Sequence, residues 1–238
     1  MKCTSISEAG HSPRRSLPAR HSHSPCFDLL PLHQQVNEQA AADRSNNKTT
    51  DGKEGAEVVV AAASPAEETS ASIPHYIGDV GEGKEAVVRL VGYEDERQLS
   101  DIMSLVDRDL SEPYSIFTYR YFLHNWPGLC FVAKAGDRTV GSIVCKAERE
   151  LDDEPLTGYI AMLAVDTTFR KHGIGTALAS KAIEAMREMG CEEVVLETEV
   201  TNRGALNLYT KLGFSKNERL IKYYLNGVDA FRLKLWFR

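Results

Sequence analysis

The sequence predicts an α+β domain: a mixed, mostly antiparallel sheet with one parallel strand pair, flanked by helices. Three observations carry this. Apolar residues switch between a two-residue and a helical period along residues 87–238. Two pairs of alternating runs separated by turn residues read as hairpins. Between them, GYIAMLAV (158–165) leads into a long amphipathic helix and then into VVLETEV (194–200). A strand–helix–strand unit of this kind makes its two strands parallel neighbours.

Val87–Val91 alternates with charge and opens as a short strand. Leu99, Ile102, Met103, Val106 and Leu110 recur at helical spacing, so about 95–110 is a helix. Glu112-Pro113-Tyr114 breaks it, because Pro cannot continue a helix and restricts its predecessor. Ser115 caps a second helix, which runs to His124 and ends at Trp126-Pro127-Gly128. Leu129–Lys134 and Thr139–Lys146 flank Ala135-Gly136-Asp137-Arg138 as a hairpin, and Glu148–Glu154 is an acidic, solvated loop. Gly158–Val165 is apolar almost throughout and is expected to be central and buried on both faces. Ile174, Ala177, Leu178, Ala182, Ala185, Met186 and Met189 share one face of a helix ended by Gly190. After the strand 194–200, Asn202 caps a short helix carrying Leu206, Tyr209 and Leu212, with Gly213 just past its end. Leu220–Leu225 and Val228–Phe237 read as a terminal hairpin turning at Asn226-Gly227.

Residues 1–86 are of another kind. Of 19 aromatic residues in the 238-residue chain, only Phe27 and Tyr76 fall there. NNKTTDGKEG and AAASPAEETSAS are polar, small and without apolar period, and cannot bury enough surface to offset their ordering entropy. A disordered tail over 1–86 and a folded domain over 87–238 are expected. Lys2, Arg14, Arg15 and Arg20 give the first residues a transit-peptide bias, but Pro13, Pro18 and Pro25 break the amphipathic helix such a peptide needs. The net charge of -6 argues against sequence-independent nucleic-acid binding, and no apolar run is long enough to span a membrane. Five cysteines without CxxC or zinc-ligand spacing suit reduced thiols and a cytoplasmic or nuclear location, with no metal.

The chemistry starts between the buried strand and the long helix. Arg170-Lys171-His172-Gly173-Ile174-Gly175-Thr176 is a glycine-bearing turn that opens a helix. Free N–H groups and the helix dipole make such a turn an anion site suited to a pyrophosphate. It matches neither a Walker A loop nor GxGxxG. Taken by itself it reads equally as a tight strand–helix turn with an exposed basic patch.

RKHGIGTAL after GYIAMLAV resembles the acetyl-CoA signature of the GNAT superfamily of N-acetyltransferases, R/Q-x-x-G-x-G/A. Asn202 to Phe214 fits that superfamily's N-x-x-A-x-x-x-Y-x-x-x-G-F pattern, in the expected order and separation. Within it, LSEPYSIFTYRYFLHNWP, VVLETEVTNRGALNLYTKLGF and YYLNGVDAFRLKLW resemble the NatC-type catalytic subunits, which acetylate protein N-termini beginning with Met and a bulky apolar residue. The resemblance covers 87–238 and none of 1–86. The acidic stretch 148–157 departs from the family pattern.

The resemblance implies a GNAT-like acyltransferase fold and acetyl-CoA as co-substrate. It also implies nascent protein N-termini, two auxiliary subunits and the ribosome as partners. Residue by residue, it implies that Arg170 to Thr176 and Asn202 hold the cofactor, and that the backbone of Leu163, Ala164 and Val165 faces the thioester. Glu197 then matches the general base, acting through a water, and Tyr209 the group beside the CoA sulfur. Glu112, Pro113, Tyr114, Tyr159, Glu199, Tyr223 and Tyr224 match the peptide-binding positions. Without the resemblance, Glu197 and Glu199 lie two apart on one strand face and read first as exposed strand carboxylates. Two other functions stay open: a GNAT acting on lysine or small amines, and a non-catalytic CoA-binding or scaffolding subunit.

Overall fold

The computed structural model describes residues 78–79, 85–110, 114–149, 151 and 153–238. The tail expected over 1–86 lies outside these, apart from Gly78–Asp79 and Glu85–Ala86, which pair antiparallel.

Seven strands form one sheet: β1 Val88–Gly92, β2 Phe131–Ala135, β3 Arg138–Glu148, β4 Thr157–Val165, β5 Glu193–Glu199, β6 Ser215–Leu220 and β7 Ala230–Trp236. Their order is β1-β2-β3-β4-β5-β7-β6, and every neighbouring pair is antiparallel except β4 with β5. Among the described residues, four α-helices complete the fold: α1 Leu99–Asp109, α2 Ile116–Asn125, α3 Ile174–Glu188 and α4 Arg203–Lys211. This is the α+β architecture expected from the sequence.

The helices cover both faces of the sheet. Leu99, Ile102, Leu105 and Val106 of α1 and Tyr119, Phe122 and Leu123 of α2 pack on Val132, Val144 and Met162. Leu178, Ala182 and Met186 of α3 pack on Val140, Ile143 and Ile160 of the opposite face, and Tyr209 and Phe214 belong to that core. The predicted caps form. Ser115 Oγ accepts from Thr118 N at 3.3 Å, and Asn202 Oδ1 accepts from Ala205 N at 3.0 Å.

Two expectations are corrected, and one is refined. β4 is central and packs on both faces, Ile160 in the core under α3 and Met162 and Ala164 in the core under α1 and α2, but only alternate residues are fully buried; Tyr159, Ala161, Leu163 and Val165 are half-buried. The buried set changes face at an irregularity opposite Val144/Cys145. Cys145 pairs with Ile160 and Val144 with Met162, so Ala161 is an extra residue on β4. β4 pairs with β5 only through Thr157–Glu193, Gly158–Val194 and Tyr159–Val195, after which the two strands part.

The terminal hairpin is also different. β6 is Ser215–Leu220, an exposed edge strand with no apolar alternation to signal it, and 221–229 is a loop. Asn226-Gly227 does turn the chain, with Gly227 N bonded to Tyr224 O at 2.8 Å, but only at the loop tip. Asp229 ends the ladder by accepting from Lys222 N at 2.8 Å and Arg219 Nε at 2.9 Å, a side-chain bond that competes with strand pairing. Finally, Glu148 is the last residue of β3 rather than part of a solvated loop. It accepts from Tyr121 Oη at 2.9 Å and pairs with Lys146.

Candidate active site

Where β4 and β5 part, a cleft of about 840 Å³ opens. The splayed strands form its inner walls, α3 and the loop before it one end, and α4 a side. Leu110 and Tyr114, flanking the α1–α2 connection, and Tyr224, from the β6–β7 loop, reach its rim. From Ile160 onward β4 has no ladder partner on its β5 side, so backbone groups of that edge face the cleft. Leu163, Ala164 and Val165 lie in this stretch.

The phosphate-loop residues follow at the end of β4. Lys171 (φ 64°) and Gly173 (φ 82°) are both left-handed, and Gly173 is the N-cap of α3. Glycine adopts this conformation without a Cβ penalty. The first helical bond runs from Ala177 N to Gly173 O at 2.8 Å, so the N–H groups of Ile174, Gly175 and Thr176 precede it. They are the orphan donors of a helix N-terminus. No acidic side chain lies in the first turn to compete for them. A Cβ on Gly175 would meet Leu208 Cδ1 at 3.1 Å, so α4 can press close here. This cradle suits an anion.

Arg170 lines the cleft and is also anchored within the protein. Its Nε donates to Val165 O at 2.9 Å and its Nη2 lies 2.9 Å from Asp109 Oδ1. The side chain thus ties the loop to the end of β4 and to the end of α1. His172 is the one residue of 170–176 that does not line the cleft.

Asp166 braces the same loop from below. Buried at the head of the turn Thr167–Phe169, it accepts from Thr168 N and Oγ1 and from Arg138 Nη2 at 2.7 Å. Burial alone would raise its pKa, but the Thr168 and Arg138 bonds win and hold it down at about 2. A depressed carboxyl adds stability above its unfolded pKa of about 3.9 and loses it as pH falls toward the folded value. Asp166→Asn should therefore cost about 1–2 kcal/mol at pH 7, the half-exposed Arg138 screening part of the gain. Urea titrations should find that gap closing between about pH 4 and 2; a gap independent of pH would mean the carboxylate charge contributes nothing.

The cleft floor carries Glu197. Tyr159 Oη donates to its Oε2 at 2.6 Å and Arg232 Nε to its Oε1 at 2.8 Å. Its side chain is only 5% exposed. Burial, and next the charge of Glu197, push the Tyr159 hydroxyl well above its ordinary pKa, so it is a donor at any working pH. Glu199 sits one pleat further on, accepting from Thr201 Oγ1 and Asn226 Nδ2 at 3.1 Å each. Tyr209 is buried, its ring edge-on to Phe214 at 5.3 Å, and it lines the cleft; burial pushes its hydroxyl well up.

The structure brings Glu197, Glu199, Asn202, Tyr209, Tyr114 and Tyr224 to one cleft with the phosphate-loop residues. Tyr223 does not line it; buried, it packs edge-on to Tyr224 at 5.2 Å. Glu112 and Pro113 lie outside the described residues. Cys130, Cys145 and Cys191 are buried free thiols, and burial pushes Cys130 up to about 12, so they pack rather than react. Among the described residues no group of three or more metal-ligating side chains converges.

Arg232 and Asp109 were missed by sequence reasoning. Arg232 carried a faint signal, one of two cations, with Lys234, two apart in the strand AFRLKLW. Its meaning depends on the register that sets it opposite Glu197.

The model of the acetyltransferase (GNAT) family matches residues 99–214. An Arabidopsis thaliana protein, N-alpha-acetyltransferase MAK3, is 55% identical over 161 residues, covering 67% of this chain and 83% of that protein. The chain belongs to the GNAT acetyltransferase family. Among its GNAT relatives, human N-alpha-acetyltransferase 30 is 59% identical over 160 residues, 67% of this chain. The match spans only 44% of the human protein's length, so the chain corresponds to less than half of it. In the crystal structure of the NatC complex bound to Gag peptide and CoA, one chain superposes with a TM-score of 0.61 at 45% identity. That match covers 63% of this GNAT chain and 99% of the other.

Proposed function

We propose that the protein transfers the acetyl group of acetyl-CoA to the α-amine of protein N-termini that begin with Met and a bulky apolar residue. The observation that carries this is the cleft itself. An anion cradle on α3, an open strand edge on β4 and a buried carboxylate on β5 meet in one cavity. A splayed sheet can receive a thioester from one end and an amine from the other, for direct transfer.

In this reading the N–H groups opening α3 hold the pyrophosphate, and the open edge of β4 supplies donors to the carbonyl oxygen as it becomes an oxyanion. An α-ammonium has a pKa near 8, so a modest push neutralises it. Glu197 provides the push, taking the proton through a water. The freed amine forms the new C–N bond as the C–S bond breaks, and Tyr209 protonates or hydrogen-bonds the departing thiolate. Tyr114 and Tyr224 frame the entrance, rings against the apolar side chains and hydroxyls toward the peptide backbone. Auxiliary subunits complete the reading, supported by the similarity to a chain of the NatC complex. Nascent chains as substrates, the ribosome as docking platform and a cytoplasmic setting are part of the same proposal and rest on the family resemblance of the sequence.

A peptide panel varied only at residues one and two tests it. Met-Leu, Met-Ile and Met-Phe should turn over at similar rates, because one methylene changes binding by only about 1–3 kcal/mol. Met-Lys and Ser-starting peptides should be poor. Equal rates for Met-Leu and Met-Asp would contradict an apolar pocket, and preference for a lysine side chain would point to the other acetyltransferase class. Binding of CoA without any turnover would favour a scaffolding subunit.

A further inference from the structure

A row of charge crosses the sheet beneath the cleft. Glu218 on β6 is opposed to Arg232 on β7, and Arg232 to Glu197 on β5. Arg232 Nε donates to Glu197 Oε1 at 2.8 Å, and its Nη1 lies 3.7 Å from Glu218 Oε2. Tyr159 on β4 closes the row with its bond to the other oxygen of Glu197. The row runs from wet to dry: Glu218 is 48% exposed, Arg232 19% and Glu197 5%.

We infer that Arg232 is a positioning residue for Glu197, supplying the countercharge of the buried carboxylate and aiming it so that it can accept the proton of the incoming amine. This rests on Glu197 being the base. Two physical effects support it. A buried carboxylate without a cation beside it is an uncompensated charge, and nothing then fixes the direction of its oxygens. A lone buried carboxylate would also hold the incoming α-ammonium as an ion pair, in the protonated form that cannot attack. The guanidinium at 2.8 Å answers both, by stabilising the anion and offsetting its field.

Besides Arg232, the groups that feel the charge of this carboxylate are the phenols Tyr159 from β4 and Tyr224 from the β6–β7 loop. Behind them stand Tyr114 from the α1–α2 connection and Tyr223, both acting on these two phenols, and Glu199, acting on Tyr224. Glu218 stands behind Arg232. Arg232 itself stays charged: burial pulls its pKa down, but the bond and charge of Glu197 outweigh it. Arg is also the residue type whose planar head keeps a fixed direction toward a carboxylate.

The test uses the full chain, acetyl-CoA and a Met-Leu peptide, with kcat and kcat/KM followed from about pH 5.5 to 9.5 for Arg232→Gln, Arg232→Lys, Glu197→Gln and the double variant Glu197→Gln/Arg232→Gln. Arg232→Gln should lose roughly tenfold or more in kcat at pH 7, with the acid limb of the profile displaced upward, as loss of a neighbouring cation requires. Arg232→Lys keeps the charge and should bring the limb back. In the Glu197→Gln background, losing Arg232 should cost little more, because there is no carboxylate left to position. CoA affinity and thermal unfolding report the fold. Should Arg232→Gln prove unfolded, Arg232→Lys and the double variant, which strands no buried charge, carry the comparison. An unmoved acid limb in folded Arg232→Gln, or an undiminished further loss in the double variant, overturns the role of Arg232 and leaves Glu197 as base. Full activity of Glu197→Gln overturns the base assignment itself and this inference with it.

Discussion

Glu197→Gln should lower the turnover constant by roughly 10²-fold or more at neutral pH. CoA affinity should hardly change, since the carboxylate lies on β5 and the anion cradle on α3. Raising the pH through about 8–9 should recover part of the loss, because more of the α-amine is then neutral unaided. The substitution is not silent structurally. Glu197 accepts from both Tyr159 and Arg232, and a Gln must turn its NH₂ toward one of these donors. Unfolding curves belong beside the kinetics. Glu199→Gln should cost less, as its oxygens serve Thr201 and Asn226 at the strand end. Tyr209→Phe should show a loss that alkaline pH does not restore, its defect lying with the leaving thiolate. If Glu199→Gln cripples turnover and Glu197→Gln does not, the base has been misassigned by one pleat.

Gly173→Val should weaken acetyl-CoA binding by roughly 10–100-fold. Two costs combine. The residue sits at φ 82° as the N-cap of α3, a conformation that costs a non-glycine residue of order 1–3 kcal/mol and suits a β-branched one least. A Val there either strains the turn or shifts the N–H groups that follow it, and its side chain crowds the approach of the pyrophosphate. The body of α3, packed through Leu178, Ala182 and Met186, should remain helical. Calorimetry on the folded variant checks this, and unchanged affinity would remove the anion assignment from the loop.

The order of elements was legible because each helix and buried strand carries its own period, and because Ser115, Asn202, Gly190 and Gly213 mark ends by local chemistry. β6 was not, since SKNERL is an exposed edge whose only specification is its partner, β7. Asn226-Gly227 signalled a turn correctly but not the reach of its arms, which Asp229 shortens. The phosphate loop was readable as a contiguous motif. The parting of β4 from β5 was not, because nothing in GYIAMLAV marks Ala161 as the extra residue until β3 is laid beside it. The same limit applies to the site. Glu197 and Glu199 are equivalent by alternation; what separates them is Tyr159 and Arg232, residues 38 and 35 positions away in the chain.

The parting of β4 and β5 leaves two strand edges facing each other inside the molecule. Elsewhere, an unpaired edge invites another chain to add to it, the usual route to aggregation. Here the gap opens only beyond Tyr159, and α4 on one side and Tyr114 and Tyr224 on the other stand around it. A full foreign strand has no run of edge to follow, whereas the first few residues of a chain end, or a slender amide-bearing ligand, need only a short one. The geometry that exposes backbone for use therefore also selects what can use it: things with ends.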